Sequence, residues 1–113
     1  MRRRKVPKVG VEGLKKTHEV REWDASSADA KADILKGIAD TWAFPSYFGH
    51  NWDALIDCLS DLSWLSPKSE NKFAFIIHNA PRNEDWTTLL DCLQDVADRW
   101  GPDGEFLVYF FEN

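Results

Sequence analysis

Asp53, Asp57 and Asp61 recur at i, i+4 and i+8 within the segment Trp52 to Leu62, a spacing that sets three carboxylates on one side of a helix. Two chemistries fit such a row. An i, i+4 pair of carboxylates approaches the separation used by retaining glycosidases, in which one group is the acid and the other the nucleophile. No sequence neighbour separates Asp53 and Asp57 into an acid and a base, however, and a 113-residue chain offers no obvious lid or pocket around them. The other chemistry is recognition of a cation. No Lys or Arg occurs between Lys36 and Lys68, so no base close in sequence neutralises the row, and a continuous acidic surface is expected. Like charges at i, i+4 repel by about 0.2–0.5 kcal/mol, and Asp61 meets the negative end of the helix dipole. A merely solvated acidic face tolerates these costs, whereas a recognition surface uses them. Tyr47, Phe48 and Trp52 precede or open the same helix, and large aromatics beside charged groups are what interface anchors look like.

Positioning that row requires elements on either side of it. Thr17 to Trp23 alternates and suits an edge strand. Ser26-Ser27-Ala28-Asp29 reads as a helix start, with Ser26 and Asp29 as a capping box, and the helix runs to about Trp42, burying Ile34, Leu35, Ile38 and Trp42. Pro45 ends it. Gly49 supplies a turn and Asn51 an N-cap for the acidic helix, whose Trp52, Leu55, Ile56 and Leu59 form a stripe toward the core. Residues 63–71 read as a loop, and Phe73 to Ile77 is an unbroken apolar run suited to a strand buried on both faces. Asn83 caps a third helix in which Trp86, Leu89, Leu90, Leu93, Val96, Ala97 and Trp100 keep the 3.6-residue period, and Phe106 to Phe111 is a further apolar strand. Strand, helix, helix, strand, helix, strand in this order implies an α/β fold with a small parallel sheet, since Ile77 to Phe106 is long enough for a helical crossover.

A chain of 113 residues with 43% hydrophobic and 29% charged residues builds one core, and disordered or coiled-coil classes are excluded. The net charge of −5 hides an asymmetry. Residues 1–21 hold eight bases and two acids, a net +6, while residues 22–113 hold six bases and seventeen acids, a net −11. Residues 1–16 show no hydrophobic period and contain Pro7, Gly10 and Gly13, so they read as a mobile basic arm ahead of a single domain at 17–113. The arm is expected to be solvated rather than to contact nucleic acid, and the acidic body lacks the basic face of a nucleic-acid-binding fold. Cys58 and Cys92 fall within apolar-periodic segments and read as buried thiols. The three His are scattered and no metal-ligand or phosphate-loop spacing occurs, so neither metal nor cofactor is expected. No apolar run reaches the length of a membrane span, and no secretory h-region follows the basic start, so a cytoplasmic location is expected. Six Trp are many for one small core; periodicity assigns Trp42, Trp52, Trp86 and Trp100 to it and leaves Trp64 to join an interface.

The stretch Phe44-Pro45-Ser46-Tyr47-Phe48-Gly49-His50-Asn51-Trp52-Asp53-Ala54-Leu55-Ile56-Asp57-Cys58-Leu59 resembles the signature of the barstar family, protein inhibitors of barnase-type ribonucleases. The resemblance implies a three-stranded parallel sheet with helices packed on it and a binding face made by the acidic helix and the loop before it. By it, Tyr47 packs at the nuclease active site, and Asp53 and Asp57 enter a pocket made for phosphates. The partner-facing set it implies is Tyr47, Phe48, Gly49, Asn51, Asp53, Ile56, Asp57, Ser60 and Asp61, with Asp95 of the third helix as a further acidic contact. Ile56 stands where the family carries Trp, Asp61 where barstar has a small Gly, and Ser60 replaces a Thr. The implied function is inhibition rather than catalysis, by a protein monomeric until it binds a basic ribonuclease. The alternative is an acidic adaptor of the same fold with a basic partner that is no nuclease.

Overall fold

The computed structural model describes residues 8–65, 71–102 and 104–112. Its centre is the strand β2 (Lys72–His78), whose Phe73 to Ile77 are all buried. β2 lies between β1 (Glu19–Asp24) and β3 (Glu105–Phe111), and both pairings are parallel. Glu19 lies opposite Phe73, and Lys72 opposite Glu105. Parallel neighbours need crossovers. Two helices, α2 (Lys31–Thr41) and α3 (Trp52–Asp61), connect β1 to β2, and α4 (Glu84–Trp100) connects β2 to β3. A further helix, α1 (Lys8–Thr17), precedes β1, so the fold is α/β with four helices among the described residues.

Side-chain alternation along β2 separates two environments. Phe73, Phe75 and Ile77 join the main core with Phe106 and Phe110 of β3, while Ala74 and Ile76 are buried outside that cluster. β3 has only one strand neighbour, and its Leu107, Val108, Tyr109 and Phe111 stay half-buried. Trp42 is fully buried against the rings of Phe73, Phe75 and Phe106, at centroid distances of 6.1, 5.6 and 5.5 Å. Trp86 donates its indole N–H to the Ala28 carbonyl at 2.8 Å, and Trp100 donates to that of Leu59 at 2.7 Å. Trp52 packs against the core while half-buried, with the Lys31 ammonium 5.6 Å from its ring centroid.

Three expectations are corrected. Residues 8–17 are helical rather than an arm without structure, and residues 1–7 lie outside the described residues. Val11, Leu14 and His18 stand at i, i+3 and i+7; Val11 is buried, and His18 Nε2 lies 3.4 Å from Glu105 Oε2, which ties this end of the chain to β3. Lys15 and Lys16 in the last turn also favour the helix dipole. The helix expected from Ser26 instead starts at Lys31. Asp24 Oδ1 accepts from the Ser26 N–H at 3.0 Å, and Ala28 N–H donates to the Ala25 carbonyl at 2.9 Å. This turn lodges Ala25 and Ala28 in the core before helical geometry begins. The buried stripe of α3 is Leu55, Cys58 and Leu59, with Ile56 half-buried, so the helix is rotated from the expected stripe toward Cys58.

Candidate partner-binding face

The loop from Ala43 to Asn51 is shaped from within. Phe44 N–H donates to the Ala39 carbonyl at 2.9 Å and Phe48 N–H to that of Pro45 at 3.1 Å. Phe48, named in the expected contact set, is only 6% exposed and packed edge-on to Phe44 at 4.9 Å, so its side chain supports the loop. Tyr47 beside it is 71% exposed, the one large hydrophobic side chain so exposed among the described residues. Trp64 is half-buried, donates its indole N–H to the Trp42 carbonyl at 3.0 Å and packs against Phe44. It braces the loop from below. Ala43 and His50 take the left-handed conformation, each at φ 52°, and Gly49 does not. Glycine has a different use there: a Cβ on Gly49 would stand 3.2 Å from the Asn51 amide nitrogen, which donates to the Gly49 carbonyl.

Asn51 starts α3 as expected. Its backbone is extended and its Oδ1 accepts from the Ala54 N–H at 2.8 Å, satisfying one of the unpaired donors of the first turn. The helix ends at Leu62, which adopts φ 51° while its N–H donates to the Cys58 carbonyl at 3.1 Å. Between these ends Asp53, Asp57 and Asp61 are all exposed on one side, and Ile56 and Ser60 are half-buried on its flank. The Ser60 hydroxyl oxygen is buried without a hydrogen-bond partner among the described residues.

α3 packs along α4, which brings Asp95 to the acidic row through a residue that sequence reading missed. Arg99 places Nη1 3.5 Å from Asp57 Oδ1 and Nη2 3.7 Å from Asp95 Oδ2. The continuous acidic surface expected from the sequence is therefore corrected: a base distant in sequence, Arg99, interrupts it. The Asp95/Arg99 spacing of i, i+4 is readable in the sequence, but the contact with Asp57 spans 42 residues. The expected thiol burial is as found. Cys58 is pushed up from its ordinary pKa by burial, then by the charges of Asp57 and Asp61, and Cys92 by burial, then by Asp91, Asp95 and Asp53. Both stay protonated at neutral pH and are poor nucleophiles.

A cavity of about 480 Å³ opens where Ala80, Pro81, Trp86, Leu90 and Phe110 meet, and its lining includes none of the three α3 carboxylates. The acidic face is instead built from the exposed side of α3, the neighbouring Asp95 and Arg99 of α4, and the loop that Phe44, Phe48 and Trp64 pack from within. No helix among the described residues is long and apolar enough to cross a membrane. A comparison with curated proteins finds none that matches. Residues 18–112 match the family model described as Barstar (barnase inhibitor). That match spans the whole sheet and the helices that carry Tyr47, Asp53, Asp57 and Asp95, and the chain belongs to the barstar family.

Proposed function

We propose that this protein inhibits a small basic ribonuclease of the barnase type by laying α3 and the preceding loop across the nuclease active site. The observation that carries the reading is the pairing of Tyr47, 71% exposed, with a row of exposed carboxylates on a capped helix. A ribonuclease holds its phosphodiester with arginine, lysine and protonated histidine. Asp53 and Asp57 project from adjacent turns, about 5–6 Å apart at Cβ, and address neighbouring cationic positions in such a cleft. Tyr47 supplies a flat apolar surface beside them with few rotamers to freeze. No bond is made or broken on the inhibitor, which works by exclusion. The −11 carried by residues 22–113 speeds encounter with a cationic partner, an effect that fades as salt shortens the Debye length. Acting in the cytoplasm, the protein protects the cell that makes the nuclease.

The test is inhibition of a barnase-type nuclease by wild type, Asp57→Ala and Tyr47→Ala at low salt. Each substitution is expected to weaken inhibition by at least tenfold, because truncating a desolvated charge or an aromatic anchor typically costs about 2 kcal/mol or more. Unchanged inhibition by both variants would place the contact elsewhere, and no inhibition by wild type of any such nuclease would overturn the function itself.

A further inference from the structure

Arg99 projects a cation into the acidic face of α3 and α4. Its two terminal nitrogens are each directed at a different helix's carboxylate, Asp57 at 3.5 Å and Asp95 at 3.7 Å. A planar guanidinium can address two carboxylates in this way, whereas an ammonium is a single point charge. Both separations are long for charge-assisted hydrogen bonds. Arg99, Asp57 and Asp95 are 50%, 77% and 49% exposed, so water and salt compete for every group in the contact.

We propose that Arg99 is an internal placeholder: in the free protein it fills the bracket between Asp57 and Asp95, and it must swing out before the guanidinium of a partner enters. This rests on the reading of the α3 and α4 face as the partner-binding surface. Arg99 thereby tunes affinity. When the filled bracket does not bind, the apparent dissociation constant is the intrinsic one divided by the fraction of molecules with the bracket open. An exposed ion pair corresponds to a filled-to-open ratio of about 1–4, so removing Arg99 tightens binding by one plus that ratio, about 2–5-fold. Because the pair contributes little to folding, the variant keeps its fold.

The test uses a hexa-arginine peptide as the probe, titrated calorimetrically at low salt into wild type, Arg99→Gln, Lys36→Gln, Asp57→Asn and the Arg99→Gln/Asp57→Asn double variant. Lys36 lies on α2, paired with Asp40 at 3.0 Å, and its replacement makes the same change in net charge away from the bracket. Arg99→Gln is expected to bind the peptide about 2–5-fold more tightly than Lys36→Gln, with the double variant gaining no more over Asp57→Asn than Lys36→Gln gains over wild type, and with the excess reduced at high salt. Equal affinities for the two charge variants, weaker binding by Arg99→Gln, or a gain of the double variant over Asp57→Asn larger than that of Lys36→Gln over wild type each overturns the placeholder. Nuclease inhibition measured on the same proteins judges the function separately: loss of that function leaves the peptide result standing, and the converse also holds.

Discussion

Asn51 offers the sharpest check on how the acidic helix is held. Its side-chain amide uses both ends: Oδ1 accepts from the Ala54 N–H at 2.8 Å, and Nδ2 donates to the Gly49 carbonyl at 3.2 Å. Asn51→Ala removes both bonds. Loss of the cap costs about 1 kcal/mol, and loss of the exposed loop bond adds about 0.5 kcal/mol, so the variant is destabilised by about 1.5 kcal/mol. Asn51→Asp keeps the acceptor for Ala54 and gains about 0.3–1 kcal/mol from a negative charge at the helix N-terminus. It gives up only the donor to Gly49 and should lie within about 0.5 kcal/mol of wild type. Urea unfolding reads these differences as shifts of the midpoint at constant slope. Amide exchange at Ala54 should quicken in Asn51→Ala and stay slow in Asn51→Asp. If the two variants lose equal stability, or Asn51→Ala loses less than about 0.3 kcal/mol, the cap does not anchor α3 and the reasoning fails.

Two further outcomes follow from the core. Gly37→Ala improves helix propensity by about 1 kcal/mol, but its Cβ would stand 2.6 Å from Trp23 Cε2, and that ring is held against Trp86 and Phe75. Overpacking costs about 1–3 kcal/mol, so urea unfolding should show net destabilisation, relieved when Trp23→Leu is added; a more stable Gly37→Ala would refute the packing. Burial, first of all, raises the Cys58 and Cys92 thiols above the ordinary thiol pKa of 9.0, so the folded state favours the neutral form. Their contribution is complete below pH 9.0 and is lost as pH rises through the folded values. Stability measured by urea between neutral pH and pH 10 should therefore fall less steeply in Cys58→Ala/Cys92→Ala than in wild type, and an identical slope would show that the thiols carry none of it.

Some elements were legible because their signals were local and agreed with one another. In α4, the Asn83 cap, acids in the first turn, Arg99 in the last turn and an apolar period over seventeen residues all point to one helix. β2 announced itself by an apolar run bounded by polar residues. α2 was misjudged at its start because two interactions competed for one segment. Ser26 offers a cap, but Asp24 captures the Ser26 N–H and Trp86 captures the Ala28 carbonyl, and the second partner lies 58 residues away. α1 was missed because its apolar face is narrow, and burial of Val11 shows only after folding. In the loop before α3, neighbouring Phe48 and Tyr47 look alike in sequence, yet one is buried on Phe44 and the other exposed.

By itself the sequence determined what short-range physics can set: where Asn51 and Asn83 start helices, the parallel order of strands and crossovers, and the carboxylate row at four-residue spacing. Only tertiary structure decided how α3 turns about its own axis, which of two aromatics faces solvent, and that Asp95 and Arg99 stand against Asp57. The physical reason is range. Caps and periodicity act within a turn or two of helix, whereas helix rotation and charge pairing depend on surfaces that meet across 42 residues of chain once the core has closed.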